Sequence, residues 1–164
     1  RQGHARVAIG GDSAGGNLAV AVTQTRIARG QAPPFACWLV SPYLDLSNSG
    51  ASITARRHRD RFVDPDDGTN RRYAGTAALD DPAVSPLYGS FTGFPETLVQ
   101  VGSEEVLVDD ARRLAERLWA AGRQVTFQEW DGMVHAWPLF ARRLEEGRWA
   151  IAQGAAFLRR LVQA

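Results

Sequence analysis

The stretch Val7-Ala8-Ile9-Gly10-Gly11-Asp12-Ser13-Ala14-Gly15-Gly16-Asn17-Leu18-Ala19 decides how this chain is read. Its first four residues are a short apolar run flanked by glycine, which suits a buried parallel strand. Its end opens a helical pattern, with Leu18, Ala19, Val22 and Arg26 recurring at helical spacing up to a stop signal at Gly30. Between the two lies Gly11-Asp12-Ser13-Ala14-Gly15, a match to G-x-S-x-G. A serine there sits on a tight, strained turn that lifts its hydroxyl out of the sheet. Only very small neighbours are expected to fit, which accounts for Gly11, Ala14 and Gly15. The helix N-terminus below directs partial positive charge and free N–H groups at a developing anion, so the Ala14 N–H is a natural oxyanion donor. A phosphate loop is the wrong reading. No G-x-G-x-x-G can be placed on Gly10, Gly11, Gly15 and Gly16, and no Lys follows the glycines.

Working outward, Phe35 to Val40 is a second apolar run, closed by Ser41-Pro42. From about 43 to 95 the chain is rich in Gly, Pro, Asp, Ser and Arg, and reads as a long connection with one short helix near Pro65 to Ala74. Thr97-Leu98-Val99-Gln100-Val101 is a third strand. Ala111, Leu114, Ala115 and Leu118 line one helical face that ends at Ala120-Ala121-Gly122. Val125 to Trp130 alternates as an edge strand does, and Ile151, Ala155, Leu158 and Val162 mark an amphipathic terminal helix. Strands alternating with helices imply βαβ units, hence an α/β class with a mostly parallel sheet flanked by helices.

Composition narrows the function. With 45% hydrophobic and 23% charged residues in 164, the chain is an ordinary globular one of about a single domain, residues 1–164. No run approaches 18 apolar residues, so no membrane span is expected. A net charge of +1 gives no reason to expect nucleic acid. The basic cluster Arg56 to Arg61, with Arg71 and Arg72, is interspersed with Asp60, Asp64, Asp66 and Asp67 and reads as a solvated loop. The single cysteine, Cys37, lies in an apolar strand and reads as a buried, inert thiol, so no disulfide or multi-Cys metal site is expected. The five tryptophans, 38, 119, 130, 137 and 149, read mostly as core, with Trp137 a candidate border of the substrate site. The only methionine is Met133, so the chain reads as part of something longer, and a cytoplasmic location is only the default expectation.

A serine nucleophile needs a base, and the histidines are His4, His58 and His135. His4 precedes the first strand and His58 sits in the arginine cluster. His135, in Asp131-Gly132-Met133-Val134-His135, follows the last strand, and catalytic groups of parallel sheets lie at carboxyl ends of strands. The orienting carboxylate belongs after the third strand, where Glu104, Glu105, Asp109 and Asp110 are candidates. Asp109 and Asp110 fall at a helix start, where acidic residues often serve only the dipole.

Several stretches together resemble bacterial esterases of the hormone-sensitive lipase family, which have the α/β-hydrolase fold. They are Gly11 to Ala19, Ser41-Pro42-Tyr43-Leu44-Asp45-Leu46, Asp81-Pro82-Ala83-Val84-Ser85-Pro86-Leu87, Gly102-Ser103-Glu104-Glu105-Val106-Leu107 and Gly132-Met133-Val134-His135. The resemblance covers nearly the whole chain. It implies Ser13 as nucleophile, His135 as base and Glu105 as acid, with Glu104 in reserve, since the family's acid is usually Asp two residues before a Leu. It also implies a small ester substrate of short acyl chain, cleaved through an acyl-enzyme, and no metal or organic cofactor.

The family's His-Gly-Gly-Gly oxyanion loop has no counterpart here. The chain therefore resembles the C-terminal part of the fold, with the N-terminal half missing. The strand before Ser13, central in the family, is expected at an edge, and impaired activity alone is expected. The alternative is a catalytically inert fragment that self-associates into a homo-oligomer through that exposed strand.

Overall fold

Four parallel strands stack in the order in which they occur in the chain, in a computed structural model that describes residues 6–65 and 67–163. They are β1 (Ala8–Asp12), β2 (Ala36–Val40), β3 (Glu96–Gly102) and β4 (Val125–Trp130). Their register pairs Gly10 with Trp38, Trp38 with Leu98 and Leu98 with Thr126. Helix α1 (Ala14–Ala28) joins β1 to β2, and α4 (Val108–Ala120) joins β3 to β4. The long connection between β2 and β3 holds two short helices, α2 (Ala51–Ala55) and α3 (Thr69–Ala74), and α5 (Glu145–Gln163) ends the chain. The expected α/β class and parallel sheet are what the structure has, with β1 at one edge and β4 at the other among the described residues.

Alternate strand residues feed two cores, as the two-residue period of a strand requires. Cys37 and Leu39 of β2 and Val99 and Val101 of β3 pack with Val20 of α1 and Ala111, Leu114 and Leu118 of α4. The opposite face sends Ala36 and Leu98 against Phe157 of α5, with Trp38 and Leu158 closing over them. That second face carries a polar seam. The Trp38 indole N–H donates to Gln100 Oε1 at 2.8 Å, and Gln100 Nε2 donates to Gln128 Oε1 at 2.8 Å and to the Ala150 carbonyl at 3.1 Å. Buried amides without partners cost about 1–3 kcal/mol each, so the ladder keeps Gln100 tolerable in a fully buried site.

Helix existence follows the sequence pattern better than helix orientation does. In α4 the expected Ala111, Leu114, Ala115 and Leu118 are all buried. In α1, Leu18 and Val22 are exposed, and the inward face is Gly16, Asn17, Ala19, Val20 and Thr23. In α5, Ile151 and Val162 are exposed, and Gly147, Ala150, Gly154 and Phe157 face inward. Small residues win there because bulk comes from the sheet: a Cβ on Gly154 would lie 2.1 Å from the Trp38 ring. Gly30 ends α1 as expected, at φ +66° with its N–H on the Ile27 carbonyl.

The connection is more ordered than its composition suggests. Helix α2, unexpected from the sequence, is pinned from outside: Ser52 N–H donates to Asp109 Oδ2 at 2.8 Å and Ser52 Oγ to the Val106 carbonyl at 2.5 Å. Asp60 is not a solvated loop charge. It is buried, and its carboxylate accepts the N–H groups of Phe62, Val63 and Val106. Arg57 pairs with Asp64 and Arg59 with Glu104, in keeping with an otherwise solvated cluster, and Asp66 lies outside the described residues. Trp38, Trp130 and Trp137 are buried or half-buried, in keeping with the expectation that most tryptophans are core, while Trp119 and Trp149 are exposed. Cys37 is fully buried, and burial pushes its thiol up to about 12. Among the described residues no helix is long and apolar enough to cross a membrane.

Candidate active site

The turn after β1 is built as the G-x-S-x-G reading requires. Ser13 has φ 51° and ψ −123°, a conformation that a non-glycine residue adopts only under constraint. The constraint is visible: the Ser13 N–H donates to the Val40 carbonyl at 3.1 Å, while the Ser13 carbonyl accepts the N–H groups of Gly16, Asn17 and Tyr43. Steric need for glycine falls on Gly11 and Gly16. A Cβ on Gly11 would meet the Gly15 carbonyl oxygen at 2.3 Å, and one on Gly16 would meet Pro42 Cβ at 2.8 Å. Gly15 itself has open space where a Cβ would go, so the expectation that both motif glycines are sterically required holds only for Gly11.

Ser13, Ala14 and His135 line one pocket of about 380 Å³. Its remaining walls are mostly apolar, from Leu18, Tyr43, Leu46, Phe62, Val63 and Tyr73, with Asn17, Asn70, Asp64 and Asp67 adding polar groups. Ala14 is the first residue of α1, so its N–H has no acceptor within the helix. Trp137 does not border the pocket: it is fully buried, its ring 5.6 Å from that of Trp130.

Behind the pocket wall the carboxylates separate. Glu105 is fully buried, and its Oε2 lies 2.9 Å from His135 Nδ1. A carboxylate oxygen only accepts, so this contact has Nδ1 as its donor and leaves Nε2 as the ring nitrogen not engaged by Glu105. Glu105 Oε1 accepts the Gly102 N–H at 2.6 Å and the Ser41 hydroxyl at 2.7 Å. Glu104 turns outward to Arg59. Asp109 accepts the Ser52 N–H, and Asp110 accepts those of Leu44 at 2.7 Å and Asp45 at 2.9 Å. Burial pushes Asp110 up to about 7 despite those two bonds. His58 is exposed and outside the pocket, and His4 lies outside the described residues.

An imidazole held by a carboxylate on Nδ1 can take a proton at Nε2, and an N–H at a helix start can receive an oxyanion. Among the described residues the His135 ring bonds to Glu105, and no hydrogen bond joins it to Ser13 Oγ.

Residues 2–139 match a protein family described as having the alpha/beta hydrolase fold. The chain belongs to that family. This hydrolase-fold chain is 46% identical over 157 residues to an acetyl-hydrolase of Streptomyces hygroscopicus, covering 94% of this chain and 52% of that protein. It is 34% identical over 154 residues to an esterase of Acinetobacter venetianus, covering 92% and 51%. In structure it is similar to an esterase from the bacterial hormone-sensitive lipase family, with a TM-score of 0.92 and 40% identity over 96% of this chain and 54% of the other. The chain spans about half the length of the curated relatives it matches.

Three features of this pocket and its surroundings were not anticipated from the sequence. Asn17 braces the turn, its Nδ2 donating to the Tyr43 and Val84 carbonyls at 3.0 and 3.1 Å. Phe62, from the irregular part of the connection, and Tyr73, from its short helix α3, supply pocket walls that no periodicity marks. Ser41 ends β2 as Ser13 ends β1, and that position was the available signal, because groups at carboxyl ends of strands converge.

Proposed function

We propose that this chain is a carboxylic ester hydrolase for small acyl esters, working through an acyl-enzyme. Ser13 Oγ attacks the ester carbonyl and passes its proton to His135 Nε2. The Ala14 N–H receives the oxyanion, and collapse of the tetrahedral adduct releases the alcohol with the proton from His135. Water, deprotonated by the same nitrogen, then attacks the acyl carbonyl; the bond to Ser13 breaks, His135 returns its proton to Oγ, and the acid leaves. Glu105 keeps Nδ1 protonated and favours the imidazolium that forms between steps. The observation that carries this reading is the 2.9 Å contact of His135 Nδ1 with buried Glu105, behind a pocket wall that Ser13 and His135 share. The acetyl-hydrolase and esterase relatives support the ester class and the small acyl group.

The test is intact-mass labelling with a fluorophosphonate, followed by turnover of short p-nitrophenyl esters. One adduct per chain, absent in Ser13→Ala, with hydrolysis lost in parallel, is the expected outcome. A folded chain that takes no adduct would falsify the reading for this chain.

A second reading rests on the free edge of β1, which pairs only with β2 among the described residues. Unpaired strand edges template association, so the chain would be an inert self-associating species. Size-exclusion chromatography separates the two: a monomer with ester turnover supports the hydrolase, and oligomers without turnover support self-association.

A further inference from the structure

We propose that Ser41 is a positioning residue of this site, its hydroxyl fixing Glu105 and the loop that carries His135 in one arrangement. The effect on rate rests on the ester-hydrolase reading, whereas the effect on the His135 ring does not. Ser41 is fully buried and sits at φ 48°, a left-handed conformation that serine rarely adopts. Its N–H donates to the Gln100 carbonyl at 2.7 Å, which continues the β2–β3 ladder by one residue. The turn that follows throws Oγ between two elements. It donates to Glu105 Oε1 at 2.7 Å and accepts the Ala136 N–H at 3.0 Å. Ala136 directly follows His135 and is itself left-handed, at φ 51°. One hydroxyl therefore grips both the carboxylate that touches His135 and the backbone that carries it.

A buried serine filling space behaves differently. Among the described residues the other buried hydroxyls, on Thr23, Ser52, Ser85 and Thr97, all donate to main-chain carbonyls. Ser41 donates to a side-chain carboxylate 64 residues away. Its segment also braces the nucleophile turn, through Ser13 N–H on the Val40 carbonyl and Tyr43 N–H on the Ser13 carbonyl. With Oε1 occupied by Ser41 and Gly102, only Oε2 is left to face the imidazole. Removing the hydroxyl releases one of the two restraints on Oε1 and the only side-chain tie on Ala136 N–H, so the carboxylate and the ring gain freedom together.

Two variants separate the hydroxyl from the backbone. Ser41→Ala and Ser41→Gly both delete Oγ, but glycine adopts φ 48° without strain. Nitrogen-15 NMR of the His135 ring reads the tautomer and the exchange of the Nδ1 proton with water. In parallel, fluorophosphonate labelling reads the reactivity of Ser13. The proposal expects faster Nδ1 proton exchange and a mixed tautomer in both variants, with labelling slowed on the order of 10- to 100-fold in both. It is overturned if the His135 ring signals of Ser41→Gly match the wild type, whatever Ser41→Ala does, since strain and not the hydroxyl would then be at work. If wild-type Ser13 takes no label, the ester-hydrolase reading fails while the ring spectra still decide the role of Ser41.

Discussion

Gly11 and Gly15 hold equivalent places in the G-x-S-x-G pattern, yet the chain packs against only one of them. A methyl group on Gly11 would overlap the Gly15 carbonyl oxygen, and backbone on a strained turn has nowhere to retreat. Gly11→Ala is expected to lose about 1–3 kcal/mol, as overpacking against unyielding atoms does. Gly15→Ala lies inside α1 with open space at Cβ, and is expected to be neutral or to gain up to about 1 kcal/mol from helix propensity. Urea midpoints of the two variants check the pair, and equal losses would refute the distinction. The same scale separates Glu104 from Glu105. The sequence offers two adjacent carboxylates, and only the path of the chain after β3 decides that one meets Arg59 at the surface and the other meets His135 inside. Asp60 and Asp110 were illegible for a related reason. Their partners are main-chain N–H groups 46 and 66 residues away at the far end, which no local pattern encodes.

Among the elements, the strands were legible almost to the residue, because short apolar runs bounded by Gly, Pro or Ser have few other uses in a parallel sheet. Helix faces were legible in α4 but not in α1 and α5. Periodicity gives most weight to large apolar side chains, and in α5 two of those in the pattern, Ile151 and Val162, are exposed, while the small Ala150 and Gly154 meet the sheet. The decisive neighbour is Trp38 on β2, whose indole occupies the volume that a larger helix residue would need. Gly154→Ala is thus expected to push the indole off its bond to Gln100 and to destabilise by about 1–3 kcal/mol. A lower urea midpoint with altered tryptophan fluorescence is the readout, and an unchanged midpoint would show that α5 simply slides outward. Helix α2 escaped notice for the opposite reason, since five residues cannot hold a helix alone and Ser52 is tied to α4 and its approach.

At the level of the whole molecule, two buried carboxylates, Asp45 within the turn at 43–49 and Asp110 bonded to that turn from α4, pull stability in opposite directions with pH. Burial alone would raise Asp45, but bonds from Ser47, Ser49, Arg113 and Tyr88 hold it at about 2. Its contribution is therefore present above the ordinary carboxylate range and lost as pH falls toward 2. Burial pushes Asp110 up to about 7, so the folded chain keeps a proton that the unfolded chain has released. Its contribution is present below the ordinary range, about 3.9, and is lost as pH rises toward 7. Asp110→Asn keeps an acceptor for the Leu44 and Asp45 N–H groups, so it should flatten the decline in stability between about pH 4 and 7. Urea midpoints across that window test this, and an identical slope in variant and wild type would refute it. The stacking of β1, β2, β3 and β4 in chain order also has a meaning in time. Ser13 leaves β1, Ser41 leaves β2, Glu105 leaves β3 and His135 leaves β4. A ribosome releases these four in that sequence, so the serine is made first and the imidazole last. Under the proposed triad, Ser13 therefore emerges long before its base, and its activation waits until β4 has docked and carried His135 into the shared pocket.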